Sequence, residues 1–435
     1  MNARQCAVEI LTRWQHEHTP IDRLRDELLE NSGIADERDR ALVTELSYGT
    51  VRRCAELDKQ LEVLVHSGIG KMQHRLLAIL RLGLYQILYM DRIPKYAAVD
   101  QAVELTKELV GINQAGLVNA VLRQAASSQK SRPVNAFYTE SHSLWQWRNK
   151  WIEQWGEQKA DELINFFSII PSVGLRRNRL RLKDDTTWLK LLAEEGVNPE
   201  PILDWEGFGY VRGLSPASLP SFQRGETTVQ DPAAGIAPIA LDPQPGEQIL
   251  DLCCAPGGKT ALLWELMRGE GRLRAVDKNM KRNQMAREGL RRLGHEGIEV
   301  ETADVLKVSG GLYDRVLVDV PCSGTGVAHR RPDLLLRHNP RDLLQLVKVQ
   351  RSLTQHAAEL VKPGGILIYS TCSLEPEEND NMAVELDRRL RDTFIRDPLP
   401  DSIPARWKRS ESEVSTWQPD DGVDGVYVVR WRRIR

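Results

Sequence analysis

Five short apolar runs recur between residues 248 and 370: QILDLC, RLRAVD, IEVETAD, RVLVDV and GILIYS. Between them stand stretches of helical periodicity, among them KTALLWELM, KRNQMAREGLRRLG and LLQLVKVQRSLTQHAAELV. Few folds accommodate that alternation. It predicts βαβ units, a mostly parallel sheet covered by helices, and a ligand at the carboxyl ends of the strands.

The rest of the 435 residues has a different grain. Residues 1–130 carry apolar positions at helical spacing (Leu76, Ile79, Leu80, Leu84, Ile87, Leu88) and almost no alternation, which predicts an all-helical domain. ASSQKSRPVN (126–135) is polar, ends beside proline and serves as a linker. Residues 136–225 predict a small α+β segment, with a Trp-rich amphipathic stretch and an alternating run, GLRRNRLRLK. Residues 226–435 form the α/β domain.

Net charge is −2, so the chain is not a broadly basic nucleic-acid binder, though a local basic groove is compatible with it. Arg177, Arg179, Arg181 and Lys183 would share one strand face, and Arg330 and Arg331 follow one of the strand-end motifs; both groups are candidate RNA contacts. The six cysteines include no CxxC pair, which argues against a zinc site, and no metal is expected. No signal peptide and no apolar run of about 18 residues is evident, so a reduced, cytoplasmic protein is expected.

The loop DLCCAPGGKT (251–260) joins a strand to a helix through Gly257 and Gly258, where a ligand can approach backbone and helix amino terminus. Cys253 stands where a Walker A loop needs its first glycine, and the dinucleotide pattern is absent. Asp277 closes the next strand, where a carboxylate can bind ribose hydroxyls. Adenosine without a polyphosphate fits best, with S-adenosylmethionine its obvious carrier. Two further strands end in cysteine-bearing turns, DVPCSGTGV with Cys322 and STCSLEPEEN with Cys372. Matching placement makes them candidates for chemistry rather than core filler. Glu375, Glu377 and Glu378 read as a solvated turn, and Cys6, Cys54 and Cys254 as packing residues.

DLCCAPGGKT, AVDKN, ADVL, DVPCSGTGV and STCSLEPEEN, in that order, resemble the motifs of the RNA cytosine-C5 methyltransferases. TVQDPAAGIAPIAL resembles the segment before the first motif. ALVTELSYGTVRR, GLYQILYM and LVNAVLRQ are similar to the NusB antiterminator, and the combination resembles the bacterial 16S ribosomal RNA branch of the family. The resemblance implies a NusB-like domain joined to a Rossmann-like fold, S-adenosylmethionine as donor and S-adenosylhomocysteine as product. Cys253, Cys254, Ala255, Pro256, Gly257, Gly258, Lys259, Asp277, Asp304 and Asp319 are then the cofactor-site candidates.

The resemblance also implies that Cys372 is the nucleophile and Cys322 the thiol that helps release product. A thiolate on C6 of cytosine makes C5 nucleophilic enough to take a methyl group. Asp319 and Lys259 are the remaining catalytic candidates, to hold or polarise the base. A base in a helix hides C6, so the target must be single-stranded or flipped out. Two departures stand out. Cys254 replaces an alanine of the first motif, and Val426 replaces the first of two aromatics, the second of which Tyr427 keeps. The expected protein is a monomer acting on 16S RNA; the same chemistry on transfer RNA, or an RNA-binding protein with a relic catalytic half, are the rival readings.

Overall fold

The computed structural model describes residues 1–17, 19–127, 142–417 and 421–435. The predicted linker falls mostly on 128–135, outside the described residues. The chain forms two compact units, Met1–Ile170 with Ala328–Pro340, and Pro171–Val327 with Arg341–Arg435. The 136–225 stretch is therefore shared: its Trp-rich helices belong to the first unit and its strands to the second.

The first unit is helical. Ala3–Glu17, Ile21–Asn31, Glu37–Arg52, Cys54–Leu64, Lys95–Leu109 and Ile112–Ser127 surround His74–Tyr89, whose residues from Leu76 to Ile87 are buried. Helices His142–Trp155 and Glu157–Phe167 follow, with Trp147, Trp151 and Phe167 buried. The excursion Ala328–Pro340 is fastened within this unit by polar contacts. Helix Ile21–Asn31 starts after Pro20, which offers no side-chain cap. Buried Asp333 supplies one, accepting from the Ile21 amide at 3.1 Å while pairing with Arg337 at 2.6 Å. Arg52 donates to the His329 carbonyl at 2.6 Å and Trp147 to that of His338 at 2.9 Å.

The second unit holds two sheets. The strands are β1 Val173–Arg177, β2 Glu200–Pro201, β3 Phe208–Val211, β4 Thr227–Val229, β5 Gln248–Leu252, β6 Arg272–Asp277, β7 Ile298–Thr302, β8 Tyr313–Asp319, β9 Val361–Thr371, β10 Phe394–Arg396, β11 Glu413–Ser415 and β12 Tyr427–Arg433. The small sheet has the order β2-β3-β1-β4 and the large one β10-β12-β9-β8-β5-β6-β7, with β11 on β12. β5 to β9 pair in parallel and are the five predicted strands; β12 and β10 close the edge antiparallel. The order reverses between β5 and β8, so the crevice for a ligand lies beyond their carboxyl ends. Leu250, Leu252, Val316, Val318, Leu367 and Tyr369 pack one face of the sheet, and Ile249, Leu317, Ile366 and Ile368 the other.

A buried polar network fixes the small sheet to the large one. Arg176 of β1 and His295 both contact Glu265, on helix Gly258–Leu266, and all three side chains are fully buried. Burial alone would raise the Glu265 pKa. The Arg176 charge and hydrogen bonds from His295, Arg176 and the Arg179 amide outweigh it and bring the value to about 2.

Two outcomes follow from these contacts. Asp333→Ala should raise amide exchange in helix Ile21–Asn31 by roughly 5–30-fold, the equivalent of about 1–2 kcal/mol, and unchanged exchange there would refute the cap. The depressed Glu265 pKa contributes stability that is complete above its ordinary 4.5 and lost as pH falls toward 2. Denaturant titrations at pH 5 and pH 2 should show wild type losing about 3 kcal/mol more than Glu265→Gln.

Candidate active site

β5 runs into Cys253, which takes the left-handed conformation at φ +63°, and then through a cis Ala255–Pro256 bond to Gly257 at φ +96°. A Cβ on Gly257 would sit 3.0 Å from that of Ala286, so the loop rests against helix Met280–Leu293 as only glycine allows. Arg282 on that helix donates to the Ala255 carbonyl. Asp277 closes β6; its Oδ1 accepts from the Asn279 amide at 2.8 Å, and its Oδ2 takes only a long 3.4 Å contact from the Ala255 amide. That leaves acceptor capacity at the strand end. Asp304 is exposed, and its Oδ1 accepts from the Leu306 amide at 3.1 Å, capping a short 3-10 turn. Cys254 is buried and reaches Asn283 Oδ1 at 3.8 Å, so its thiol replaces alanine without facing the loop's open side. Burial raises both thiols, Cys253 to about 12.

The first turn of helix Gly258–Leu266 supplies Lys259 and Thr260. Lys259 Nζ donates to Asp319 Oδ2 at 2.7 Å, and Asp319 Oδ1 accepts from Ser370 Oγ at 2.9 Å. Burial pulls the Lys259 pKa down; the charge and hydrogen bond of Asp319, then the negative charge of Cys372, outweigh it and leave it raised. Lys259 is an ammonium in this setting. Thr260 Oγ1 donates to Asp251 Oδ2 at 2.6 Å beneath the loop, where burial pushes the Asp251 carboxyl up to about 7.

Asp319 and Ser370 are paired in register on β8 and β9, and each strand continues into a cysteine turn. Cys322 Sγ and Cys372 Sγ lie 3.3 Å apart, and both residues are half-buried. Cys322 is raised well above an ordinary thiol, first by its hydrogen bond to Cys372, then by burial and the negative charges of Cys372 and Glu378. Ionising Cys322 beside Cys372 is therefore costly.

The turns are braced from behind by groups the sequence reading missed. Glu378 is fully buried and accepts from the Ser323 amide at 2.9 Å, Ser323 Oγ at 2.5 Å and Gln350 Nε2 at 2.7 Å. Ser323 Oγ lies 3.0 Å from Ser373 Oγ, and Asn379 Nδ2 donates to the Ser373 carbonyl at 2.8 Å. The expected solvated turn is thus corrected: Glu375 and Glu378 are buried, and Glu377 is half-buried. The Glu378 amide donates to the Glu375 carbonyl, winding the segment inward so that Glu378 can receive the amide and hydroxyl of the opposite loop. The signal was present as Ser323, Thr325 and Ser373, small hydroxyls that need buried acceptors. Gly326 and Gly425 touch; a Cβ on Gly326 would lie 2.1 Å from the Gly425 carbonyl oxygen, so the segment holding Val426 and Tyr427 packs directly on the Cys322 turn.

The basic strand face is also corrected. β1 ends at Arg177, and residues 179–181 form a turn, so Arg177, Arg179, Arg181 and Lys183 do not line one face. Asn178 causes the break: its Nδ2 donates to the carbonyls of Gly225 and Leu293, and its Oδ1 accepts from the Leu180 amide. Arg177 is buried on Asp185 at 2.7 Å, Arg179 donates to the Glu206 carbonyl and Arg181 to that of Leu293. Lys183 is exposed. Arg330 and Arg331 belong to the excursion of the first unit, whereas the cysteines belong to the second. The structure brings together Lys259, Asp319, Cys322 and Cys372, and sets the loop 253–258 and Asp277 at the switch point.

The strand order and the strand-end loop define a Rossmann-like methyltransferase fold, preceded along the chain by a helical NusB-like domain. Residues 238–432 match the family model described as 16S rRNA methyltransferase RsmB/F, and residues 1–127 match the NusB family. A ribosomal RNA small subunit methyltransferase B of Yersinia pseudotuberculosis is 33% identical over 443 residues, covering 99% of this chain and 98% of its own. The crystal structure of PH0851 has the same fold over 99% of both chains, with TM-score 0.80 and 22% identity. That of a methyltransferase homologue from Pyrococcus horikoshii covers 65% of this chain and 93% of its own, with TM-score 0.56 and 28% identity. This chain belongs to the 16S rRNA methyltransferase RsmB/F family.

The charge on Lys259 gives a direct test of the thiol assignment. Lys259→Met should slow iodoacetamide labelling of Cys372 at neutral pH by roughly tenfold, as loss of one unit of thiolate stabilisation implies, with Lys259→Arg retaining most of the rate. Equal labelling of all three proteins, quantified by peptide mass spectrometry, would remove Lys259 from the cysteine's environment.

Proposed function

We propose that this chain methylates carbon 5 of a cytosine in 16S ribosomal RNA, with S-adenosylmethionine as donor and Cys372 as nucleophile. The observation that carries the reading is the pair of strand-end thiols 3.3 Å apart, beside the Lys259–Asp319 ion pair. The loop Cys253–Gly258 fits the adenosine-bearing donor: Gly257 turns at φ +96° with a Cβ position only 3.0 Å from Ala286, and Asp277 keeps acceptor capacity at the strand end for a ribose. Asp304, exposed beyond β7, is placed toward the adenine in the same reading.

When bound, S-adenosylmethionine supplies an electrophilic methyl group on a sulfonium sulfur. The Cys372 thiolate adds to C6, and the C5=C6 electron pair moves toward C5 and the ring carbonyl. Lys259 steadies that charge, and Asp319 accepts from the exocyclic amine. C5 takes the methyl group, and the bonding pair stays on sulfur as S-adenosylhomocysteine. A base must then remove the C5 proton, so that the C–H pair restores the double bond and C6–S cleavage returns the thiolate.

Cys322 suits that step because its acidity is coupled to Cys372. The hydrogen bond and the negative charge of Cys372 are among the causes that hold its proton. Both vanish once Cys372 is bonded to carbon, so Cys322 ionises more readily at the stage when a base is required, its proton passing to water. We further propose that residues 1–130 position the RNA, that residues 226–435 carry the chemistry with the 136–225 stretch between them, and that the enzyme acts as a cytoplasmic monomer. Lys183, Arg181, Arg330 and Arg331 are the RNA contacts of this reading.

Methyl-labelled donor and a 16S fragment, incubated with Cys322→Ser and Cys372→Ser proteins and run on a denaturing gel, test the assignment. Cys322→Ser should carry a stable labelled RNA adduct, and Cys372→Ser neither adduct nor methylated RNA. The reverse pattern would exchange the roles. A wild-type protein that labels transfer RNA but not the 16S fragment would overturn the substrate.

A further inference from the structure

We propose that Cys322 and Cys372 are also an oxidative modification site, at which a peroxide-class oxidant joins the two sulfurs as a reversible disulfide that blocks methyl transfer. The inference builds on the catalytic reading above, but the pairing itself rests on geometry.

The sulfurs stand 3.3 Å apart, and a disulfide needs about 2.05 Å, so roughly 1.3 Å of closure suffices. The backbones that carry them are already tied together. Gly326 donates its amide to the Cys372 carbonyl at 3.0 Å, and Leu374 donates its amide to Thr325 Oγ1 at 3.0 Å. Ser323 and Ser373 meet through their hydroxyls at 3.0 Å. Each of these contacts joins one cysteine turn to the other, so thiol proximity is a property of the framework. Both residues are half-buried, which leaves a small oxidant a route to them.

Cys322 is the thiol made harder to ionise by its neighbour, and a second thiol this close to Cys372 is placed to resolve an oxidised Cys372. Cys253 and Cys254 lack this arrangement, since burial raises both thiols. Cys6 and Cys54 are buried in the helical unit.

The chemistry balances with peroxide as two-electron oxidant. The Cys372 thiolate attacks one oxygen of hydrogen peroxide, forming S–O and breaking O–O, and the leaving hydroxide takes a proton to become water. Cys322 sulfur then attacks Cys372 sulfur, forming S–S and breaking S–O, and the second hydroxide leaves with the Cys322 proton as water. The two sulfurs are oxidised by two electrons in all, and one peroxide becomes two waters. With both sulfurs joined, neither an attacking thiolate nor a proton acceptor remains, while the cofactor loop is untouched.

The test uses the full chain treated with hydrogen peroxide, alkylated with iodoacetamide and digested. The expected result is a Cys322–Cys372 cross-linked peptide, loss of alkylation at these two cysteines, and a fall in methyl transfer of roughly tenfold or more that dithiothreitol reverses. Cys322→Ala cannot resolve the sulfenic acid, so its Cys372 should proceed to sulfinic acid, which dithiothreitol does not reduce. Separate alkylation of Cys322 and Cys372 after peroxide, or linkage to other cysteines, would overturn the proposal. The peptide readout is independent of activity, so a reduced protein that fails to methylate RNA counts against the catalytic reading alone. A disulfide that leaves methyl transfer intact would retain the modification site but remove the block.

Discussion

The parallel pairing of β8 with β9 is the constraint on which the site depends. It sets Asp319 opposite Ser370, and from that register two unrelated stretches of chain turn outward within reach of each other. The hydrogen bond from Ser370 Oγ to Asp319 ties the last rung across the strands, and Lys259 ties Asp319 to the loop after β5. Three adjacent strands thus contribute to one cluster at the switch point. A slip of one residue in β9 would turn its side chains to the other face and send Cys372 away from Cys322.

Register alone would not hold two loops at thiol contact. The bracing comes from polar groups that are fully buried, which is costly unless each finds a partner. Glu378 meets that requirement with three donors, two of them from Ser323. Tyr369 donates to the Glu378 carbonyl at 2.6 Å and so links the bracing to the core of β9. A carboxylate placed there also acts at a distance: its charge adds to the forces that keep Cys322 protonated. Scaffold and thiol chemistry are served by the same side chain.

The strands, the glycine loop and the two cysteines were legible because each depends on local pattern: apolar runs of strand length, glycine where the backbone must turn, thiols after matching strands. The basic face at 177–183 was misread because alternation carries no information about where a strand ends. Asn178 ends β1 through contacts with Gly225 and Leu293, residues remote in sequence. Glu378 was misread for a related reason. An acidic run reads as solvated unless its donors are known, and those donors lie on Ser323 and Gln350, more than twenty residues away. The antiparallel edge made by β10 and β12 was likewise beyond a local reading, since its pairing partner, β9, lies far upstream.

The two cysteines occupy nearly equivalent positions at the ends of neighbouring strands, so position does not separate their roles. Environment does. Cys372 is felt by the Lys259 ammonium, which lowers the cost of a negative sulfur. Cys322 feels the charges of both Cys372 and Glu378, which raise the cost of ionising it. A second negative charge beside the first is therefore costly, and the Lys259 ammonium favours charge on Cys372. One motif plan thus yields two thiols in unlike settings, one within reach of a lysine's charge and the other of a buried glutamate's.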